Sequence, residues 1–470
     1  MRLICLSTAL HLCTSAVFSQ WQPDVRLTND TATSYTAYCS AWSIATVGNV
    51  VHIVWFDSRD GGSEIYYKRS TDGGVSWGMD TRLSNAAGLS EFPSISASAS
   101  DVHVCWGDER DGALEIYYKR STDGGMSWGA DTRLTYAAAY SSYPSTAVSG
   151  PIVHAAWEDA RDGDLEIYYK RSTDGGTSWG ADTRLTNSVG GSENPSIAVS
   201  GTVVHVVWND DRDGNNETYY KRSTDGGVTW GADTRLTNDR ADGSRSALFV
   251  AGPEVHVVWY DERDGNREIY YKRSTDAGVS WGADTRLTID LAPSNNPTVS
   301  VSGPIVHLVW HDERDGNKEV YYKRSTDGGL NWGADTRITN AAGTSGRPSV
   351  SVSGQAVHVV WYDDRDGNSE VYYTQDPTGN VVGIDELPGN APLFSVYPNP
   401  AHSELTVVFS AMVHHGSIVV TSVLGETAYR EAIPATSSMR MQLSDLPNGI
   451  YFIAVYDGQR SQSQKVVIEK

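Results

Sequence analysis

A unit of 51 residues repeats without insertion or deletion through most of the chain, and this period constrains the fold more than any single motif. Its anchor is the pattern Val-His-x-x-Trp. The seven copies start at Val51, Val102, Val153, Val204, Val255, Val306 and Val357. Repeats of this length are typical of solenoids, propellers and arrays. Near-identical units also form a symmetric surface, whereas a catalytic site needs different residues from different places.

Each unit contains four short runs rich in Val, Ile, Tyr and Thr, which turns rich in Gly, Asp and Ser separate. In one unit these runs start at Pro93, Val102, Glu115 and Asp131. No unit has a helical period or a helix-capping pattern. Four antiparallel strands in a repeat of this length predict one blade of a β-propeller.

The number of copies predicts seven blades. The pattern Asp-x-Arg-Leu/Ile-Thr/Ser, which ends each unit, also occurs seven times, but its first copy at Asp24 precedes the first unit and none follows Tyr373. We therefore predict an all-β fold in which residues 21–373 form a seven-bladed β-propeller closed by the N-terminal strand. Such closure removes exposed sheet edges.

The net charge limits the class of partner, and the N-terminus indicates export. The formal net charge of −21 disfavours binding to nucleic acid and to anionic membrane surfaces. Residues 1–20 are predicted to be a secretory signal peptide, because Arg2 precedes an apolar run that ends at Phe18. No other apolar stretch reaches transmembrane length, so we expect no membrane span, and we expect a monomer.

Two of the four cysteines lie in the leader, which leaves Cys39 and Cys105. Cys105 occupies a position that is Val or Ala in the other units. A buried free thiol is the preferred interpretation of Cys105, and a Cys39–Cys105 disulfide is the alternative.

The repeat stops after Tyr373. Residues 374–392 form a predicted linker rich in Pro and Gly, and residues 393–470 form a module that alternating strands and turns predict to be a small β-sandwich. This module contains Tyr397-Pro-Asn-Pro, then Leu424-Gly-Glu, then Leu446-Pro-Asn-Gly-Ile-Tyr. In this order the motifs resemble the C-terminal sorting domain of the type IX (Por) secretion system. An ordinary accessory sandwich is the alternative on fold grounds.

The resemblance to the sorting domain has consequences for localisation. It implies export to the periplasm, translocation across the outer membrane by the type IX machinery, and removal of the domain. We therefore expect the protein to be secreted or to lie on the outer cell surface.

The turn between the third and fourth runs carries Ser-Thr-Asp-Gly/Ala-Gly-x-Ser/Thr/Asn-Trp in six units. Its aspartates and tryptophans are Asp72, Asp123, Asp174, Asp225, Asp276, Asp327, Trp77, Trp128, Trp179, Trp230, Trp281 and Trp332. Six copies in register resemble the Asp box, or BNR repeat, of the sialidase superfamily, and they imply a sialidase-like propeller. The Asp accepts hydrogen bonds from its own turn, and the Trp packs on the hairpin. We interpret the motif as structural.

The resemblance to sialidases does not extend to their catalytic residues. That family uses a Tyr nucleophile with a Glu, an Asp acid/base and three arginines, one of them in an Arg-Ile/Leu-Pro motif near the start. The corresponding run here, Cys39-Ser-Ala-Trp-Ser-Ile-Ala-Thr, has no Arg, and Gly346-Arg-Pro has the wrong spacing and lies in the last unit. The sequence therefore assigns no catalytic residue.

A second repeated motif, Asp-x-Arg-Asp-Gly, is predicted to lie on the face opposite the Asp boxes. Its arginines are Arg59, Arg110, Arg161, Arg212, Arg263, Arg314 and Arg365. One hypothesis is that this arginine ring binds anionic or hydroxylated sugars. The alternative is a structural ion pair within each hairpin, because every Arg has carboxylates beside it. We expect no metal and no cofactor, because the motif departs from the calcium-loop pattern.

The repeated His between apolar neighbours predicts a core residue. Asymmetry is confined to the loops between units and to the residue after the repeated Trp. At that second position the units have Phe56, Gly107, Glu158, Asn209, Tyr260, His311 and Tyr362. Tyr260 and Tyr362 are candidates for stacking on sugar rings. A unique pocket has to be built from these variable positions.

The sequence as a whole predicts a secreted or surface propeller that binds glycans or glycoproteins without catalysis, with multivalency from repeated weak sites. An exo-α-sialidase or another glycoside hydrolase is the first alternative. A surface adhesin that binds protein is the second.

Overall fold

The computed structural model describes residues 21–37, 42–378, 394–413, 416–422, 427–456 and 461–470. These residues form strands and turns, and among them no helix is long and apolar enough to cross a membrane. The chain divides into two compact units, residues 1–379 and 380–470. The predicted signal peptide, Cys39 and residues 379–392 of the predicted linker lie outside the described residues.

The described residues of the first unit form seven antiparallel sheets, which we name blades 1 to 7 in chain order. Each has an inner, a second, a third and an outer strand, in that order across the sheet. The inner strands are Ser34–Tyr35 together with Ile44–Val47, Ser90–Ser98, Ser141–Ser149, Ser192–Ser200, Gly243–Ala251, Ser294–Ser302 and Ser345–Ser353. The second strands, which carry Val-His-x-x-Trp, are Val50–Asp57, Asp101–Asp108, Ile152–Asp162, Val203–Asp210, Glu254–Asp261, Ile305–Asp312 and Ala356–Asp363.

The two remaining positions complete each blade. The third strands are Glu64–Ser70, Glu115–Ser121, Asp164–Ser172, Glu217–Ser223, Glu268–Ser274, Glu319–Ser325 and Glu370–Asp376. The outer strands are Thr81–Arg82, Thr132–Arg133, Thr183–Arg184, Thr234–Arg235, Thr285–Arg286, Thr336–Arg337 and, in blade 7, Val25–Arg26. The last third strand extends to Asp376, three residues into the predicted linker.

The blades form a closed ring. Inner strands of successive blades contact one another, and the inner strand of blade 7 contacts that of blade 1. Val25 and Arg26 pair with Tyr373 and Tyr372, so the N-terminal strand supplies the outer strand of blade 7. The all-β propeller that the repeat predicts is therefore confirmed, with sheets arranged as blades around an axis.

The closing segment also supplies a tryptophan, which the sequence analysis missed. Trp21 meets Tyr322 edge-on at 5.1 Å between ring centroids, and Trp77 of the first Asp box meets Tyr373 in the same way at 4.8 Å. Trp21 precedes Asp24 by the same three positions that separate Trp77 from Asp80. Trp21 therefore takes the place of the Asp-box tryptophan that the seventh repeat lacks.

The repeated residues build the core of each blade and lock it to its neighbour. In blade 1 the imidazole Nδ1 of His52 and the hydroxyl of Tyr67 are 2.6 Å apart, and both side chains are buried. Burial lowers the pKa of His52 to about 4. The Tyr67 hydroxyl packs on Gly125 in the Asp box of blade 2, where a side chain would overlap it. The predicted core position of the repeated His is confirmed.

Each Asp box is a local turn. The Asp123 carboxylate accepts hydrogen bonds from the backbone N–H of Ser127 at 2.8 Å, from its hydroxyl at 2.6 Å and from the Ser121 hydroxyl at 2.7 Å. These bonds lower the pKa of Asp123. Trp128 packs edge-on against Tyr67 of the preceding blade. The motif thus stabilises its own turn and the interface between two blades.

The second unit consists of two sheets that share one apolar core. One sheet contains Phe394–Tyr397, Glu404–Val413 and Thr436–Gln442. The other contains Thr427–Ile433, Gly416–Ser422, Gly449–Tyr456 and Ser461–Ile468, in that spatial order. Side chains from both sheets, among them Leu405, Ile418, Met441 and Val466, are buried together.

Candidate functional site

The repeated arginine of the Asp-x-Arg-Asp-Gly motif is held by two carboxylates in every blade. In blade 2, Arg110 Nε and Nη2 donate to Asp108 at 2.7 and 2.6 Å, and Nη1 donates to Asp131 at 2.7 Å. The guanidinium also stacks on the Tyr117 ring, 4.2 Å from its centroid. The equivalent ion pairs hold Arg59, Arg161, Arg212, Arg263, Arg314 and Arg365.

These ion pairs favour a structural role for the arginine ring. Asp108 is buried, and the Arg110 guanidinium holds the pKa of its carboxyl below the ordinary value. A buried carboxylate that lost this partner would be left uncompensated. Binding of ligands by the ring stays a prediction, and the geometry favours the alternative that these arginines are structural.

Residues that differ between blades meet at the start of the inner strands. In blades 2 to 7 this strand has a bulge, where its register against the second strand shifts. One residue of each bulge has a φ between 49° and 57°. These residues are Phe92, Tyr143, Asn194, Arg245, Asn296 and Arg347. A left-handed conformation costs about 1–2 kcal/mol outside Gly, and such strain is concentrated at functional sites.

The register places the other variable position beside each bulge. The residue before the left-handed one pairs with the residue that follows the repeated Trp, as Ser142 does with Glu158 and Asn295 does with His311. The two sets of variable residues therefore lie at the same end of each sheet. We call the six left-handed residues and the variable residues after the repeated Trp the bulge site.

One side of the bulge site, in blades 7, 1, 2 and 3, is aromatic. Its rings, in order around the propeller, are those of Tyr362, Phe56, Phe92 and Tyr143, together with Tyr35, which pairs with Phe56 and lies between Tyr362 and Phe56. Successive ring centroids are 5.1, 5.6, 6.3 and 4.3 Å apart. The Arg347 guanidinium lies 5.2 Å from the Tyr35 centroid and 5.4 Å from that of Tyr362. These contacts join four blades into one continuous surface.

Blades 3 and 4 contribute carboxyl groups. Glu158 is 4% exposed, and its two oxygens accept hydrogen bonds from the Ser142 hydroxyl at 2.8 Å and the Asn194 backbone N–H at 3.0 Å. Burial raises the pKa of Glu158 to about 7, and burial also raises the pKa of Glu193. A carboxyl group that titrates near neutral pH can donate or accept a proton under working conditions.

Blades 5, 6 and 7 contribute basic and amide groups. Arg245 Nη1 donates a hydrogen bond to the Asn296 amide oxygen. His311 lies on blade 6, and burial together with Lys318, Arg245 and Arg347 lowers its pKa to about 3, so its ring is neutral. Both ring nitrogens of His311 are buried without a hydrogen-bond partner among the described residues.

The structure therefore places the predicted site residues in two groups. Tyr260 and Tyr362 belong to the bulge site, where Tyr260 is 8% exposed and lies beneath the Arg267 guanidinium at 4.8 Å. The aspartates and tryptophans of the Asp boxes lie in turns at the other end of the third strands. Phe92, Asn194 and Asn296 are not among the site residues that the sequence predicts. The sequence signal that could have identified them is their position, because each varies between repeats and directly precedes a position that is Pro or Ser in the repeats.

A cavity of about 310 Å³ lies between the inner strands of the blades. Its lining includes small residues such as Ala97 and Ser351, together with Trp42 and Phe249. The Trp42 and Phe249 rings come from blades 1 and 5 and are 6.1 Å apart. These two large side chains meet across the axial cavity.

Two domain families match the chain. Residues 153–340 match the BNR repeat-like domain, and residues 395–469 match the secretion system C-terminal sorting domain. The protein is therefore an Asp-box β-propeller that carries a sorting domain of the type IX system. That domain directs export to the cell surface or the medium and implies interaction with the type IX machinery.

Solved structures with a similar fold include carbohydrate-active proteins. The polysaccharide lyase Uly1 has 12% identity and a TM-score of 0.52 over 76% of this chain and 98% of its own. Phage phi92 endosialidase has 11% identity and a TM-score of 0.46 over 86% and 75%. Trypanosoma rangeli sialidase has 12% identity and a TM-score of 0.42 over 82% and 85%. No curated protein matches the chain. At these identities the likeness shows the sialidase-like fold alone.

Proposed function

We propose that the propeller is a secreted carbohydrate-binding module and that the saccharide binds at the bulge site. The observation that carries this proposal is the aromatic surface from Tyr362 to Tyr143, which adjoins carboxyl, amide and guanidinium groups of the other blades. Aromatic faces provide apolar area at a wet surface, and nearby polar groups give orientation and specificity.

The bulge site fits a single defined ligand better than the arginine ring does. Each arginine of the ring repeats the same ion pairs, so the ring presents seven equivalent and already occupied groups. The bulge site instead combines different side chains from neighbouring blades, which is the requirement for a unique pocket. A polysaccharide lyase has a similar fold, and we take a saccharide as the ligand class by analogy with that protein.

A second candidate function is cleavage of a glycosidic bond. The observation that favours it is Glu158, a buried carboxyl group whose pKa is raised to about 7. Such a group is suited to general acid–base catalysis if a substrate atom comes within hydrogen-bond reach. Under this alternative the ligand of the bulge site would be a substrate, and Glu158→Gln would abolish turnover.

The test of carbohydrate binding is a glycan array probed with the full exported protein. We expect Phe92→Ala and Tyr143→Ala each to weaken binding to the bound glycans by at least ten-fold. Tyr136→Ala is the matched control, because Tyr136 is 73% exposed and lies outside the bulge site. Binding that survives both substitutions would reject the proposed site. Protein binding without any glycan binding would favour a surface adhesin.

The test of catalysis uses the glycans that bind. Each is incubated with the protein, and release of new reducing ends or unsaturated products is measured. Binding without release supports the non-catalytic function. Release that Glu158→Gln abolishes while binding persists would establish the enzymatic alternative.

A further inference from the structure

The axial cavity is lined by one equivalent residue from the inner strand of every blade. These residues follow the repeat exchange for exchange, and in blade 5 the residue is Phe249. In the other six blades it is Ala or Ser, and these residues are Ala45, Ser96, Ala147, Ala198, Ser300 and Ser351. The six small side chains keep the axis open, and one large ring partly fills it.

Trp42 is a second departure from the repeat in the same lining. The equivalent position is Pro in five other blades and Ser246 in blade 5. The rings of Trp42 and Phe249 meet edge-on, with centroids 6.1 Å apart and an angle of 67° between their planes. Both side chains are partly exposed, so the protein does not cover either ring completely. Two aromatic residues that break the repeat therefore meet at one place on the axis.

The lining of the axial cavity favours an uncharged ligand. Every described residue that lines it is uncharged, although 20% of the residues in the chain are charged. Transfer of a charged group from water into such surroundings, without a partner of opposite charge, is strongly unfavourable.

The hydroxyl groups of the lining bond within the wall. The hydroxyls of Ser351 and Thr46 are 2.9 Å apart, and Thr46 donates to the Val352 carbonyl at 3.0 Å. Thr146 donates to the His154 carbonyl at 3.1 Å. A ligand with several hydroxyls, such as a sugar, would lose hydrogen bonds to water here and find these donors already in use. The wall therefore favours an apolar ring over a sugar ring.

We propose that the axial cavity binds a small uncharged aromatic molecule, whose ring packs against Trp42 and Phe249. The cavity of about 310 Å³ is large enough, because an apolar cavity of about 150 Å³ already holds benzene. Edge-on and offset contacts between aromatic rings add to the stabilisation that burial of apolar area provides. The lining contains no residue of the bulge site, so this inference goes beyond carbohydrate binding and does not depend on it.

The experiment compares two fluorinated probes of similar shape that differ in charge, para-fluorobenzyl alcohol and para-fluorobenzoate. Broadening of the fluorine NMR signal during titration with the full protein gives the dissociation constant of each probe. We expect the uncharged alcohol to bind at least ten-fold more tightly than the carboxylate. Equal binding of the two probes, or no binding of the alcohol, would overturn the proposal and show that Trp42 and Phe249 only fill the axis.

Two variants locate the bound probe, because one removes a ring and the other fills the cavity. Phe249→Ser introduces the residue of blades 2, 6 and 7, and it should weaken binding of the alcohol about ten-fold, the upper end of the contribution of one aromatic contact. Ala198→Leu fills the cavity from blade 4 and should abolish binding. Val189→Ala is the control, because Val189 is 90% exposed and lies outside the lining, and its binding should equal that of the parent.

The unfolding transition in urea shows which variants fold. If Phe249→Ser does not fold, Ala198→Leu is the decisive variant, and Ala97→Leu fills the same cavity from blade 2. Binding of the alcohol that persists in either folded leucine variant would overturn the proposal, because the probe would then lie elsewhere. Glycan binding by these variants should equal that of the parent. Failure of all glycan binding would reject the proposed function and leave the result of the probes unchanged.

Discussion

Two histidines on the second strand of blade 6 illustrate the difference between the repeated and the variable residues of the propeller. His307 belongs to the repeat, is buried, and is bonded to the Tyr322 hydroxyl at 2.8 Å. His311 occurs once, is equally buried, and has no such partner among the described residues. The repeated histidine therefore has a hydrogen-bond partner at its Nδ1 in each blade, as His52 does with Tyr67. His311, which breaks the repeat, instead has no such partner at either ring nitrogen in the part of the chain that the structure describes.

The arginines show the same contrast. Arg110 and its six equivalents are fixed by the same two aspartates in each blade. Arg245 and Arg347 come from single bulges and lie near aromatic and amide groups. In this propeller, therefore, the repeated arginine makes the same ion pairs in each blade, and the binding site that we propose consists of residues that depart from the repeat.

The largest expected effect is a loss of stability at acidic pH, which the buried histidines cause. The pKa of seven buried histidines is lowered to about 4 or 3, as for His52 and His307, and that of His311 to about 3. In the unfolded chain these imidazoles become protonated below about pH 6.5, whereas in the native state they stay neutral down to about pH 4. The free energy of unfolding is therefore highest above pH 6.5 and decreases as the pH falls towards 4.

The lowered pKa of each of these eight histidines corresponds to about 3–5 kcal/mol of stability that is lost at acidic pH, and together these losses exceed the 5–15 kcal/mol stability typical of proteins. Urea unfolding followed by tryptophan fluorescence measures this, because every Trp lies between positions 21 and 361. We expect a large fall in the urea midpoint between pH 7.5 and pH 5, with refolding on return to neutral pH. An unchanged midpoint would contradict the burial of neutral histidines.

The fold could be predicted from the sequence because its determinants are local and repeated. The period, the Asp box and the displaced Asp24 strand together specify blades and their closure. The bulge site could be predicted only in part. Glu158, Tyr260 and Tyr362 stood out as variable positions, but the left-handed bulges at Arg245 and Arg347 depend on strand register. The alternation of apolar and polar residues predicts the register of a regular hairpin, but it does not show where a bulge shifts that register.

The second prediction tests whether the arginine ring stabilises the fold or binds the ligand. Arg110→Ala leaves buried Asp108 without its cation, and we expect a loss of about 3–5 kcal/mol in unfolding free energy. Lys318→Ala breaks an exposed pair at 3.9 Å and should cost at most about 1 kcal/mol. Glycan binding by folded Arg110→Ala should equal that of the parent. Loss of binding with stability retained would establish the ligand-binding hypothesis for the ring.

A smaller effect of opposite pH dependence is expected at the bulge site. The pKa of Glu158 is raised from 4.5 to about 7, so the unfolded chain releases its proton first as the pH rises. The native state is therefore penalised above pH 4.5, with a maximum of about 3 kcal/mol above pH 7. Glu158→Gln should therefore stabilise the protein by about 3 kcal/mol at pH 8 and by less at pH 6, where the native carboxyl is still mostly protonated. The same unfolding assay checks both values, and an equal effect at the two pH values would show that Glu158 is not buried as a neutral acid.

The smallest expected effect concerns the second glycine of the Asp box, which all six copies share. The hydroxyl of Tyr169 in blade 3 packs on Gly227 of the blade 4 Asp box, so a methyl group there overlaps the ring of Tyr169. We expect Gly227→Ala to lower the unfolding free energy by about 2 kcal/mol. Gly226→Ala is the matched control, because Gly226 has more space and its equivalent in blade 5 is Ala277, with a φ of 56°. That control should cost about 1 kcal/mol or less. Equal effects of the two substitutions would mean that backbone conformation, and not contact between blades, fixes the sequence of the Asp box.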